Sequence, residues 1–284
     1  MKKETRSILI VLAVLAMVSL ACGVNINLPE IREIDSTVFK VNEPAPTGGE
    51  ESRLILSMGA GKLELTPGAA GLVEGEIRYN IEQWKPTVTR NSGVVEIRQE
   101  ANIRGIPPRN AENLWSMKLG TNPTALTINA GAYEGDFDLS GVALTRLEVN
   151  DGASNTTMKF DKLNPVIMDL LTYSTGTSAV ELSGLANANF KEMVFKSGAG
   201  SYSLDFSGNL QQDGTVRISS GVSNVKITIP SGIPAEVRIS GGLNNINPSG
   251  TWSIDGTTYR AEGSGPKLLI IVDMGVGNLD LIQK

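Results

Sequence analysis

Histidine is missing from all 284 residues and cysteine occurs once, at Cys22. The side chains that most often supply acid–base, metal and nucleophilic chemistry are therefore nearly exhausted before spacing is considered. Without imidazole, Ser-His-Asp triads and nearly all zinc and haem sites are out of reach. Carboxylates, hydroxyls and aromatics remain. Asp136 and Asp138 alternate with Phe137 and Leu139, so an inward apolar pair would leave both acids on the outer face. With Glu134 they could grip a calcium ion, which prefers oxygen ligands, although a solvated strand face is the plainer reading. Asp161, Asp169 and Glu181 show no spacing that selects a carboxylate pair for glycoside cleavage. Tyr133, Tyr202, Trp252 and Tyr259 could stack on sugars if they lined one outer face, and otherwise pack locally. Tyr173 takes an inward strand position. Gly59-Ala60-Gly61 is not read as a nucleotide loop, because the third glycine of that motif would fall at Glu64 and strand alternation follows in place of a helix. The repeats also lack the glycine and aspartate nonapeptide of calcium-binding β-rolls. No catalytic residue, metal or cofactor is assigned, and the chain is not expected to be an enzyme.

Cys22 has a different use. Lys2, Lys3 and Arg6 precede an apolar run from Ile8 to Leu20, too short for the roughly 20 residues that cross a bilayer. Charge, a short apolar run and then small residues is the pattern of an export leader. The run ends Ser19-Leu20-Ala21-Cys22-Gly23, which resembles the bacterial lipobox, with Ser19 where leucine is usual. The resemblance implies a lipid on Cys22 as the new N-terminus. An exported chain with one cysteine also has no internal disulfide to lose by this use. At about 0.8 kcal/mol per buried methylene, two or three acyl chains would hold the protein stably at a membrane surface. The whole chain carries a net charge of −5, and the leader itself is cationic, so the mature chain is more acidic still. Lysines and arginines form no stripe, so nucleic acid is not an expected partner.

Such a tether needs an exported domain, and the remaining signal is a repeat. The pattern is apolar, any, apolar, two residues, glycine, one residue, then a small residue. It recurs at Gly59, Gly131, Gly152, Gly176, Gly198, Gly221, Gly242 and Gly275, for example Leu126 and Ile128 before Gly131, or Met193 and Phe195 before Gly198. Spacings run from 21 to 24 residues between Gly131 and Gly242, then 33 to Gly275. A second alternating stretch follows in most copies, as in Leu204 and Phe206. Period-two alternation buries one face. One coil cannot bury that face alone, so successive coils must stack about 4.8 Å apart. The expected fold is all-β: a β-solenoid, a parallel β-helix-like stack of short strands, although an antiparallel meander can also repeat near this length, and each glycine marks a turn that needs positive φ near its following small residue. Residues 76–122 break the period and read as a β excursion that caps the first coil, with a hairpin turn at Asn91-Ser92-Gly93; residues 247–265 form another insertion. The chain thus divides into a leader (1–21), a lipidated tether and spacer (22–52) with one short strand around Val38–Val41, an N-terminal β region (53–125) and a repeat region (126–284).

The segments LILSMGAGKLEL (54–65), GAYEGDFDLSG (131–141), LEVNDGASNTTMKF (147–160), FKSGAGSYSLDFSG (195–208) and VDMGVGNLDL (272–281) closely resemble the toast-rack family of bacterial envelope proteins. The last is also similar to the C-terminal domain of membrane proteins that respond to cell-wall-active antibiotics. The resemblance implies a solenoid-like envelope domain linked to adhesion or envelope-stress sensing, and transfers no catalytic residue. The expected protein is a non-enzymatic, extracytoplasmic module, held to the membrane through Cys22 and facing cell-wall glycan or another envelope protein. The alternative is a carbohydrate-binding or polysaccharide-active β-helix, which would need acids and cations clustered on adjacent coils, a grouping that Arg146, Lys191 and Arg217 do not obviously make. A ligand-carrying lipoprotein would need a concave apolar pocket, which a filled solenoid does not supply.

Overall fold

A computed structural model describes residues 31–46, 50–99, 107–242 and 245–284. The leader and Cys22, with residues 23–30 and 47–49 of the tether, lie outside the described residues. Sixteen strands form one sheet: β1 (Glu33–Glu43), β2 (Ser52–Pro67), β3 (Val73–Ile81), β4 (Thr87–Asn91), β5 (Val94–Arg98), β6 (Asn113–Leu119), β7 (Thr124–Asp138), β8 (Leu144–Lys159), β9 (Met168–Ser183), β10 (Phe190–Asp205), β11 (Gly214–Ile229), β12 (Ala235–Gly241), β13 (Asn245–Ser249), β14 (Ser253–Asp255), β15 (Thr258–Ala261) and β16 (Leu268–Gln283).

The repeat glycines lie inside strands. Each of β2, β7 to β11 and β16 runs unbroken through its glycine for 15 or 16 residues, where the sequence pattern suggests two short strands and a turn. The strands pair parallel and in register on both sides of the bend, while the ladder skips the glycine itself: Ser197 pairs with Ser220 and Ala199 with Val222, passing over Gly198 and Gly221. The bend therefore divides each strand into a first and a second half. Alternation within both halves sends Leu147, Val149, Met158 and their counterparts inward, with essentially no exposure. Return segments close the third side of each coil and bury Leu139, Phe160, Leu185 and Phe206. Their backbones continue the ladder, as in the 3.0 Å bonds that Leu139 and Phe160 donate to Lys159 and Ser183. Amides satisfy the rest of that side: buried Asn164 donates to the carbonyls of Leu144 and Ala188 and accepts from the Leu144 N–H.

At every one of these bends except Gly59, glycine is required for space. A Cβ on Gly131, Gly152, Gly221 or Gly275 would lie 2.5 to 2.8 Å from the carbonyl oxygen of the glycine in the adjoining coil, and closer still on Gly176 and Gly198. The expected positive φ two residues later is found at Gly61, Gly200 and Gly277, but not at Ser154, Ser178 or Ser223. Except at Gly59, the coils stack too tightly at this corner to admit a methyl group, whichever residue comes next.

The excursion builds the first cap. After β3, the hairpin β4–β5 turns at Ser92 (φ 42) and Gly93 (φ 81), in agreement with the sequence pattern. β5 pairs with the first half of β2 and β6 with its second half, so together they imitate one split coil. At the split, the side chains of Gln99 and Asn113 exchange hydrogen bonds of 2.9 and 2.8 Å, and Asn113 also accepts the Trp115 indole N–H at 3.1 Å. β1 is longer than the short spacer strand expected and pairs antiparallel with β3 at the sheet's edge.

Candidate functional site

The outer faces and the inner corner carry the remaining chemistry. On β7 the three acids of the calcium hypothesis do not converge. Lys62 lies 3.6 Å from Glu134 and Lys159 lies 3.2 Å from Asp138, while Asp136 stands exposed between them. Among the described residues no three acids, histidines or cysteines are grouped to hold a metal. Asp169 is paired with Lys191 at 2.6 Å, and that ion pair lowers its pKa; Asp161 pairs with Lys159 at 3.4 Å. Glu181 is exposed on the second half of β9, so the three acids that glycoside cleavage could draw on lie on separate surfaces. Arg217 pairs with Glu192 at 3.2 Å. Arg146, on the coil before, also lowers the pKa of Asp169, and Lys159 is shared by Asp138 and Asp161, so these acids are matched to cations on their own or adjoining coils.

The aromatics turn inward. Tyr133, Tyr173 and Tyr202 are buried; the Tyr202 ring meets Phe195 edge-on at 5.2 Å, and Tyr173 stacks on Phe195 at 5.6 Å. Trp252 and Tyr259 meet edge-on within the far cap. Burial pushes the phenol pKa of Tyr133 and Tyr173 far above the usual value. Both phenols aim at one carboxylate that the sequence pattern alone does not single out. Asp151, immediately before the bend of β8, accepts hydrogen bonds from Tyr173 (3.0 Å), Ser154 (3.1 Å), Tyr133 (3.4 Å), Ser178 (3.5 Å) and Thr175. A faint signal of it exists in the repeat: Asp151, Thr175, Ser197 and Ser220 are polar at one repeat position, and Ser154, Ser178 and Ser223 at another. A carboxylate is an acceptor only, so it matches this ring of donors, and the bonds to it are the strong kind. The cage ties three coils together at the corner. Asp151→Asn would replace one acceptor oxygen by a donor, and rotating hydroxyls would absorb part of the change; a loss of about 1 kcal/mol in chemical denaturation is expected.

Three further surface features complete the candidates. An open groove of about 420 Å³ is lined by Glu64, Thr66, Glu74, Glu76, Ser116 and Lys118. Lys62 and Ser116 hold Glu64 below the usual carboxylate range. At the other end, Lys267 (2.9 Å), Arg238 (2.6 Å) and Arg260 (3.5 Å) surround Glu236, and hydrogen bonds from Lys267 first and then Arg238 hold its pKa down to about 2. Between these ends, the second halves of the strands present an outer face with one row of short side chains beside a mixed, partly charged row. Asn155, Ala179, Ser201, Asn224 and Asn278 stand in one register row, with Thr157, Glu181, Ser203, Lys226 and Asp280 in the next. A shallow trough of about 200 Å³ runs across both rows from Asn155 to Ser203. Gly59-Ala60-Gly61 lies inside β2 (Ser52–Pro67) and forms no phosphate loop.

Residues 31–166 match the family profile described as "N-terminal domain of toast_rack, DUF2154". That stretch covers β1 to β8, and the ladder runs on unbroken into β9. No curated protein matches the chain. Among solved structures, a "putative cell adhesion protein" from Clostridium sporogenes is 20% identical, with 88% of this chain and 99% of that one covered and a TM-score of 0.48. A "putative adhesin" from Bacteroides fragilis is 11% identical over 89% and 99%, TM-score 0.34. A second, from Parabacteroides merdae, is 8% identical over 88% and 96%, TM-score 0.36.

Proposed function

We propose that the chain, whose residues 31–166 match the toast-rack N-terminal domain, is a non-enzymatic interaction module of the bacterial envelope, anchored outside the cytoplasm by lipid on Cys22. The observation that carries the reading is the flat row of Asn155, Ala179, Ser201, Asn224 and Asn278 beside Thr157 and Ser203. Short amides and hydroxyls lose little conformational freedom when covered, and strand spacing repeats them about every 4.8 Å. A repeating hydroxyl-rich surface such as cell-wall glycan, or another envelope protein with a flat polar face, can be matched along several coils at once. Adhesion-like binding of this kind draws on many weak hydrogen bonds and needs no deep pocket.

Two variants separate anchor from surface. Cys22→Ser is expected to remove the lipid mass and to move the protein from the detergent phase to the aqueous one. In that soluble form, co-sedimentation with cell-wall material is expected and should be lost in Ser201→Arg/Ser203→Arg without a change in melting temperature. Unaltered mass and partition in Cys22→Ser would refute the anchor. Unaltered co-sedimentation in the arginine variant would refute the face.

A further inference from the structure

Chain order and strand order disagree at one place. β16 lies between β11 and the β12–β13 pair, although β12 to β15 precede it in the chain. The two walls of this slot are near copies of each other. VRISSGVSN (216–224) forms one wall, and the other includes VRISGG (237–242) and Asn245. Val216 and Val237 both pair with Ile270, Ile218 and Ile239 both with Val272, and Asn224 and Asn245 both with Asn278. Their glycines, Gly221 and Gly242, are 21 residues apart, the spacing of coils that stack directly.

Without β16 the walls would match in register, yet one pair of residues opposes closure. Arg217 and Arg238 both pair with Ile271, from opposite sides. Closing the slot would set the two guanidinium groups directly opposite one another on adjacent strands, where like charges repel. Left open, it would expose two rows of valine and isoleucine that are buried now. The slot therefore calls for a strand with the pattern of β16: apolar at 270, 272, 279 and 281, neutral at 271, glycine at 275. β16 is joined to β15 through Glu262-Gly263-Ser264-Gly265-Pro266-Lys267, whose first four residues are exposed and whose ties to the fold are the Gly263–Gly232 bridge, the Ser264 N–H on the Gly232 carbonyl and Lys267 on Asp213, Gly214 and Glu236. A short linker of that composition suits a hinge.

We propose that the slot between β11 and β12–β13 is a strand-acceptor site that also takes the β16 of a second copy, so that two chains pair by exchanging residues 268–283. A reciprocal exchange fills both slots and closes with two-fold symmetry. It reproduces every pairing that β16 makes within one chain, so the dimer differs from two monomers mainly at the hinge, and concentration drives it.

Cysteine pairs read out the exchange in a Cys22→Ser background, where the introduced thiols are the only ones. Arg217→Cys/Ile271→Cys joins β11 to β16, whereas Thr172→Cys/Val194→Cys joins β9 to β10, which are neighbours in both chain and stack. After incubation at rising protein concentration and then oxidation, the first pair should give a growing share of covalent dimer, while the second closes only within single chains. The Cys22→Ser chain without the added cysteines should show the same rise in dimer by size-exclusion chromatography. Ser219→Cys/Asp273→Cys, also in register on β11 and β16, repeats the test if the first pair does not fold. Linkage confined to single chains at every concentration overturns the proposal. So does a dimer by chromatography that neither β11–β16 pair captures.

Discussion

Phe206→Asp is expected to remove most of the stability of the fold. Phe206 is fully buried in the return segment after β10, and its N–H donates to the Thr228 carbonyl at 2.9 Å. Aspartate there loses the buried ring and places a carboxylate where phenylalanine and aliphatic side chains pack. An uncompensated buried charge costs several kcal/mol, and a total of about 4 kcal/mol or more is expected. Against the roughly 5 to 15 kcal/mol that holds a typical domain, this is enough to leave much of the chain unfolded at modest temperature. Ser203→Asp, three residues earlier on the outer face, is the control and should stay within about 0.5 kcal/mol. Thermal melting followed by circular dichroism compares the two. Equal melting temperatures would mean that Phe206 does not face the interior.

The second large effect belongs to the corner. Gly176→Ala puts a methyl group into the carbonyl oxygen of Gly152, and Gly198→Ala repeats the clash against Gly176. Backbone atoms held by two ladders cannot step aside as a flexible side chain would. Overpacking of this kind costs about 1 to 3 kcal/mol, and the upper part of that range is expected. Gly59 has the same place in the repeat, but a Cβ there meets nothing within 4 Å. Because φ is not positive at Gly59, alanine costs no strain, and the gain from a less flexible unfolded chain makes Gly59→Ala neutral or slightly stabilising. Denaturant midpoints for the three variants distinguish a steric requirement from a merely permissive turn.

That contrast shows what is readable in the sequence. Alternation around each glycine identifies the inward residues, including Leu54, Leu63, Met158, Phe206 and Leu279, because burying one face of a strand leaves a period of two. The excursion is readable as a cap because Ile77, Tyr79, Val95 and Ile97 alternate on their own and interrupt the coil length. Three features are not readable. Whether a glycine marks a turn or a bend inside one strand depends on how closely the next coil approaches, and that is not a property of the segment. The cage around Asp151 draws on β7, β8 and β9 together, so it exists only once the register is known. The position of β16 is hidden for a related reason: coils that share a pattern are interchangeable as neighbours. Composition of a segment does not say which copy it lies beside.

Electron-spin distances along the corner test the stack most directly. With Cys22→Ser as background and nitroxide labels on cysteines replacing Ala60 and one other corner residue, strand spacing sets the separations. Ala199 lies four strands from Ala60, Val222 five and Val276 six. The distances should therefore rise in steps of about 4.8 Å, to about 19, 24 and 29 Å before the length of the label is added. Separations that do not increase in this order, or a Val276 label no farther than the one at Ala199, would contradict a parallel in-register stack with β16 set beside β11.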